Sequence, residues 1–149
     1  MGSAWGSVGR WPSLTPRVGQ NKMSFILTDT SDQTRYLQLN AWHWRTILML
    51  LDVADALPKE RIEVMGISGA CPTLSGHEAR SIASTLRSKV LSGLESDDRL
   101  LFDGTITKEP DDGIFFRDPK DQHRNYSTNA QVIGKLCDFC ERCDGFTIH

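Results

Sequence analysis

The chain has 149 residues, 39% of them hydrophobic and 24% charged, with 17 Lys and Arg against 19 Asp and Glu, a formal charge of −2. That is the size of one ordinary domain with enough apolar content for a core, and the near-balance of charge excludes gripping nucleic acid by bulk electrostatics. The longest apolar run, Ile47 to Leu51, is five residues, far below the ~20 of a membrane helix, so neither nucleic acid nor membrane is an expected partner.

Residues 1 to 22 differ in kind from the rest. They hold Arg10, Arg17 and Lys22 but no acid, and Gly, Ser and Pro dominate, whereas the following 127 residues carry 14 basic and 19 acidic side chains. The apolar run of a secretory signal is missing, and Pro12 and Pro16 interrupt an amphipathic presequence helix. We read 1–22 as an extension, tag or over-extended start, and 23–149 as one α+β domain beginning at Met23.

Ser24 to Thr28 and Arg35 to Leu39 are short β-rich runs joined by the polar stretch Asp29 to Gln33, the pattern of a hairpin. Asn40 is an N-cap, and Trp44, Ile47, Leu48, Leu51 and Ala54 form one face of a helix that Pro58 ends near Leu57. Arg61 to Ile67 alternates as a strand would, with Ile62 and Val64 on one side. Ser75 and Glu78 make a capping box ahead of a second amphipathic helix carrying Ala79, Ile82, Ala83, Leu86 and Val90 and stopping at Gly93.

Arg99 to Thr107 reads as a strand pair turned at Asp103-Gly104, and Gly113 to Arg117 as another strand. Between Glu95 and Asp121 nine acids stand against four basic residues. Such a run is either a set of solvated loops or a face that meets a basic partner. A third helix starts near Ser127 to Asn129 with Val132, Ile133, Leu136, Cys140 and Cys143 as its stripe, Gly145 as its left-handed stop, and Phe146 to Ile148 as a last edge strand.

Three features compete to carry function. Cys137, Cys140 and Cys143 have the C-x2-C spacing of zinc or iron–sulfur ligands. On a regular helix, however, the three sulfurs fan over an arc of about 120° and climb about 9 Å, so a metal requires the helix to end early or Cys71 to join; otherwise they are buried hydrophobe-like cysteines or a redox dithiol. Cys71, in a Gly-Ala-Cys-Pro loop six residues before His77 at a helix start, is a weaker nucleophile arrangement with no third orienting residue. Trp42, His43 and Arg45 lie off the Trp44 stripe; an exposed Trp beside Arg is a binding hot spot, and the alternative is that Trp42 packs over the hairpin. The signatures of P-loop, Rossmann, α/β-hydrolase and zinc-protease sites do not occur.

The order of Asn40-Ala41-Trp42-His43-Trp44-Arg45 with its Leu-rich helix, Ser75 to Leu86, and Phe139-Cys140 through Gly145-Phe146-Thr147-Ile148 resembles a group of small uncharacterised bacterial proteins. These share a Trp-containing helix and a terminal FC-x4-GF-x-I motif. The resemblance spans most of 23–148 and brings no activity, cofactor or catalytic residue with it. It implies that of the three C-terminal cysteines only Cys140 belongs to the common pattern.

The expected fold is a single α+β domain, three helices on a small, mostly antiparallel sheet, with the Trp44, Ile82 and Leu136 stripes facing one core. The expected function is a non-enzymatic protein-binding or regulatory module. It would use Trp42, His43 and Arg45 and the acidic loops toward a protein with a basic surface, as an inhibitor or immunity-type protein does, with no cofactor. The alternative is a metal- or thiol-dependent protein built on Cys137, Cys140 and Cys143. Four thiols without a signal peptide point to a reducing cytoplasm.

Overall fold

The computed structural model describes residues 24–67, 69–110, 115 and 117–149. The N-terminal extension and most of the expected Gly113–Arg117 strand lie outside these. Strand β1 (Ser24–Asp29) alternates between buried Phe25, Leu27 and Asp29 and half-buried neighbours, and pairs antiparallel with β2 (Tyr36–Asn40). Asn40 then caps helix α1 (Ala41–Val53), its side-chain oxygen accepting from the amides of Trp42 and His43 at 2.6 and 3.4 Å.

Helix α1 ends earlier than the sequence suggests. Asp55 adopts φ +55°, which breaks the helix before Pro58 is reached. Pro58 instead opens a second helix, α2 (Lys59–Met65), where a strand was expected over Arg61–Ile67. The buried residues are Ile62 and Met65, three apart, while Val64 stays half-buried. The indole N–H of Trp44 donates to the Met65 carbonyl at 3.0 Å and ties α2 to α1.

Strand β3 (Thr73–Ser75) runs into helix α3 (Gly76–Lys89) through the capping box of Ser75 and Glu78, both bonds of which are present. Strands β4 (Arg99–Leu101) and β5 (Ile106–Thr107) are the expected pair, turned where Gly104 takes φ +91°. Strand β6 (Ser127–Asn129) ends in Asn129, which caps helix α4 (Ala130–Arg142) by accepting from the Val132 amide. Cys143 is the C-terminal cap rather than part of the helical stripe, and strand β7 (Gly145–Ile148) closes the chain.

The fold is α+β, with four α-helices among the described residues and two antiparallel sheets rather than one, in the orders β2-β1-β7-β3 and β5-β4-β6. The expected edge strand β7 is therefore an interior one, pairing with β1 on one side and β3 on the other. Trp44, Ile82 and Leu136 do share one core, each at most 1% exposed. Phe139, Cys140, Phe146 and Ile148 of the terminal motif are buried in it too, with the Phe139 and Phe146 rings edge-on at 5.8 Å. The motif's role here is packing.

Two devices lock β7 in place. Asp29, fully buried at the end of β1, accepts from the Ser31 amide and hydroxyl at 2.9 Å, from Arg35 Nη1 at 3.1 Å and from the Asp144 amide at 3.4 Å. Burial pushes its carboxyl up, but these donors and the Arg35 charge outweigh that and hold it below the usual value. Arg35 also donates to the Arg142 carbonyl, so one guanidinium joins the hairpin loop to the end of α4. The second device is Gly145. It is the first residue of β7, not the stop of α4, and has φ +111° with a Cβ position 2.5 Å from the Leu74 carbonyl oxygen.

Gly145→Ala is expected to cost on the order of 3 kcal/mol, combining left-handed backbone with a backbone clash. Gly134→Ala, in α4 with open space around it, is expected to gain about 0.8 kcal/mol. Chemical denaturation of both variants checks this, and equal effects would contradict it.

Candidate functional site

The first turn of α1 projects toward the second sheet, and this fixes the surroundings of Trp42, His43 and Arg45. The Trp42 ring lies 4.8 Å from Tyr126 and 6.0 Å from Phe115, the latter edge-on, and Tyr126 lies 5.5 Å from Phe102. His43 Nδ1 shares a hydrogen bond with the hydroxyl of buried Thr128 in β6 at 3.1 Å. Trp42 thus packs on Tyr126, and all three residues are half-buried.

Arg45 and Tyr126 sense each other electrostatically. Burial lowers the proton affinity of the guanidinium and raises that of the phenol, and their mutual attraction partly offsets both shifts. At neutral pH this is a cation beside a neutral phenol, both partly shielded from water. Two of the large apolar side chains that remain exposed belong to the same region. Phe115 is 56% exposed against Trp42, and Ile106 is 50% exposed in the cross-strand row that runs through Leu100 to Thr128.

Comparisons with protein-family models, curated proteins and solved structures find no match to this chain.

The acidic run is partly neutralised from within. Lys108 Nζ lies 2.6, 2.9 and 2.7 Å from carboxylate oxygens of Glu95, Asp97 and Asp98. Among the described residues these three acids are the one group of His, Cys, Asp or Glu ligand atoms that converges within 4.8 Å, and an ammonium already sits among them. The Lys108 hydrogen bond holds the Asp98 carboxyl low, and hydrogen bonds to Asp98, Glu95 and Asp97 push Lys108 up. Further along, Arg124 reaches Glu109 at 3.8 Å and His123 reaches Asp103 at 3.3 Å. The surface that remains is less acidic than the residue count.

The cysteines occupy two different environments. Cys137, Cys140 and Cys143 are at most 1% exposed, Cys71 is exposed, and all four are free thiols. Cys137 Sγ faces the Ala83 carbonyl at 3.8 Å and Cys143 Sγ the Cys140 carbonyl at 3.7 Å. Burial pushes Cys137 up to about 11, Cys140 well above its usual value and Cys143 upward, so these thiols stay protonated near neutrality. Redox exchange works through the thiolate, which this burial disfavours, and among the described residues the three sulfurs do not converge as a ligand set within 4.8 Å. Cys71 stands in a loop at φ +48°, and neither it nor exposed His77 is hydrogen-bonded to the other.

Trp42, His43 and Arg45 stand out in the sequence by composition and helix phase. Their partners Tyr126 and Thr128 carried no local signal, because they come from an irregular stretch and a three-residue strand. Labelling with an alkylating reagent at neutral pH is expected to modify one thiol, Cys71, in the native protein and four after denaturation. Rapid native modification of Cys137 or Cys140 would contradict the packing described.

Proposed function

We propose that this chain is a non-enzymatic protein-binding module whose contact surface is the corner of Trp42, His43, Arg45, Tyr126 and Phe115. The observation that carries this reading is the exposed Phe115 ring set edge-on against Trp42, which is itself braced by buried Tyr126 and flanked by half-buried Arg45. Aromatic and arginine side chains held rigid by a packed floor lose little entropy on binding and dominate interface energies. Exposed Ile106 enlarges the apolar part of the surface.

The residual acidic surplus of 95–121 favours a partner with a basic surface, acting mainly on the rate and salt dependence of association. An inhibitor-like or immunity-like role toward such a partner fits this distribution. The four free thiols fit a reducing cytoplasm, and membership of the small bacterial group with the FC-x4-GF-x-I ending is part of the same proposal. No helix among the described residues is long and apolar enough to cross a membrane.

Affinity capture from lysate tests the reading, using the unaltered chain beside Phe115→Ala. A basic protein is expected on the unaltered chain, eluted by salt, with affinity reduced by about 2 kcal/mol in Phe115→Ala, the size of a hot-spot loss. Capture that is indifferent to both the substitution and salt would contradict it.

A further inference from the structure

The two edges of the first sheet are built differently. At one edge β3 has only three residues, and Arg61 Nη2 donates to the Thr73 carbonyl at 2.7 Å, so its main chain is short and partly occupied. At the other, β2 is a five-residue strand, and among the described residues no strand pairs with its outer side. Natural sheets protect such edges with Lys, Pro, a bulge or a covering element. The segment Tyr36-Leu37-Gln38-Leu39-Asn40 contains no charge and no proline, and its register against β1 is unbroken.

The hydrogen-bond phase shows which groups are left over. The Asp29 amide donates to the Arg35 carbonyl, and on the other side of β1 Ile26 exchanges both main-chain bonds with His149. By the alternation of an antiparallel ladder, Leu37 and Leu39 bond inward to β1, while Tyr36 and Gln38 direct both main-chain groups outward and Asn40 only its amide, the carbonyl of this N-cap belonging to α1. Their side chains also separate, with Leu37 and Leu39 toward the core and Tyr36, Gln38 and Asn40 exposed.

We propose that β2 pairs with β2 of a second copy of this chain, antiparallel about a two-fold axis at Gln38. The sequence is self-complementary about that point. Gln38 would face Gln38 of the partner subunit as a pair exchanging both main-chain bonds. Leu37 would face Leu39 of the partner subunit on the core side, and Tyr36 would face Asn40 of the partner subunit on the other. Every pair matches apolar with apolar or polar with polar, and no charge is buried. The half-exposed side of Leu37 and the Tyr36 ring, 61% exposed, would gain cover. The result is an eight-stranded continuous sheet, with the Trp42 corner present in each copy.

Sedimentation velocity of the full chain, from micromolar to near-millimolar concentration, tests this beside Gln38→Lys and Gln38→Glu. Gln38 is exposed, with a single side-chain bond to Ser24 at 3.2 Å, so both variants are expected to keep the native circular dichroism and melting temperature. The unaltered chain is expected to form a dimer of twice 16.7 kDa. Each variant alone sets like charges opposite each other and is expected to dimerise about five-fold or more weakly, while an equimolar mixture recovers dimer by pairing opposite charges. A monomer throughout the range, or a dimer unaffected by either substitution and by mixing, would overturn the proposal.

Discussion

The fold depends on the last four-residue strand lying inside the first sheet. Without β7, the hairpin of β1 and β2 has no connection to β3, since β7 supplies the pairing on both sides. It also fixes α3 and α4, because β3 leads directly into one and α4 directly into β7. A strand this short contributes few main-chain bonds, so its placement rests on the groups at its start. Asp29 receives the Asp144 amide, Thr30 donates its amide to the Gly145 carbonyl, and Gly145 takes a backbone conformation closed to other residues. A buried carboxylate is costly unless its oxygens are fully engaged. Here the donors are the hairpin loop and the α4–β7 corner, so the cost of burying the charge becomes a requirement that the two regions meet.

From that frame the surroundings of the proposed contact surface follow by short steps. The hairpin ends in Asn40, whose side chain sets where α1 begins and hence which residues form its first turn. That turn faces β6, where Thr128 holds His43 and Tyr126 supports Trp42. The surface lies where α1 bridges two sheets that share no strand. Its aromatic floor is continuous with the core through Phe102, and Trp42 carries that support on to the exposed Phe115.

What could be read from the chain alone divides along local and non-local lines. The caps at Asn40, Ser75 and Asn129 and the stripes behind them are local, and α1, α3 and α4 begin where those signals put them, although each ends earlier than its stripe suggests. Helix α2 was misread because seven residues with apolar side chains at 62, 64 and 65 satisfy both periods, and burial of Ile62 and Met65 decides between them. Gly145 signals a positive φ equally well at a helix stop and at a strand start. The interior position of β7, the contact of Trp42 with Tyr126, and the seat of Lys108 among three carboxylates all join distant segments, and no local pattern encodes them. The helical placement of Cys137 and Cys140 was legible from their spacing, whereas Cys143 lies past the last turn in extended backbone; all three are buried in the core that α4 faces.

The central claim, that the chain's final strand is an interior and cooperative part of the fold, is tested most directly by native-state hydrogen exchange. The Ile148 amide donates to the Pro72 carbonyl at 3.0 Å and the His149 amide to the Ile26 carbonyl at 2.8 Å. Although these are the last two residues, they are expected to exchange only through global unfolding, with the same opening free energy as Leu27 in β1. Exchange of both through local fraying, with Leu27 still protected, would show that the sheet stands without β7 and contradict the account.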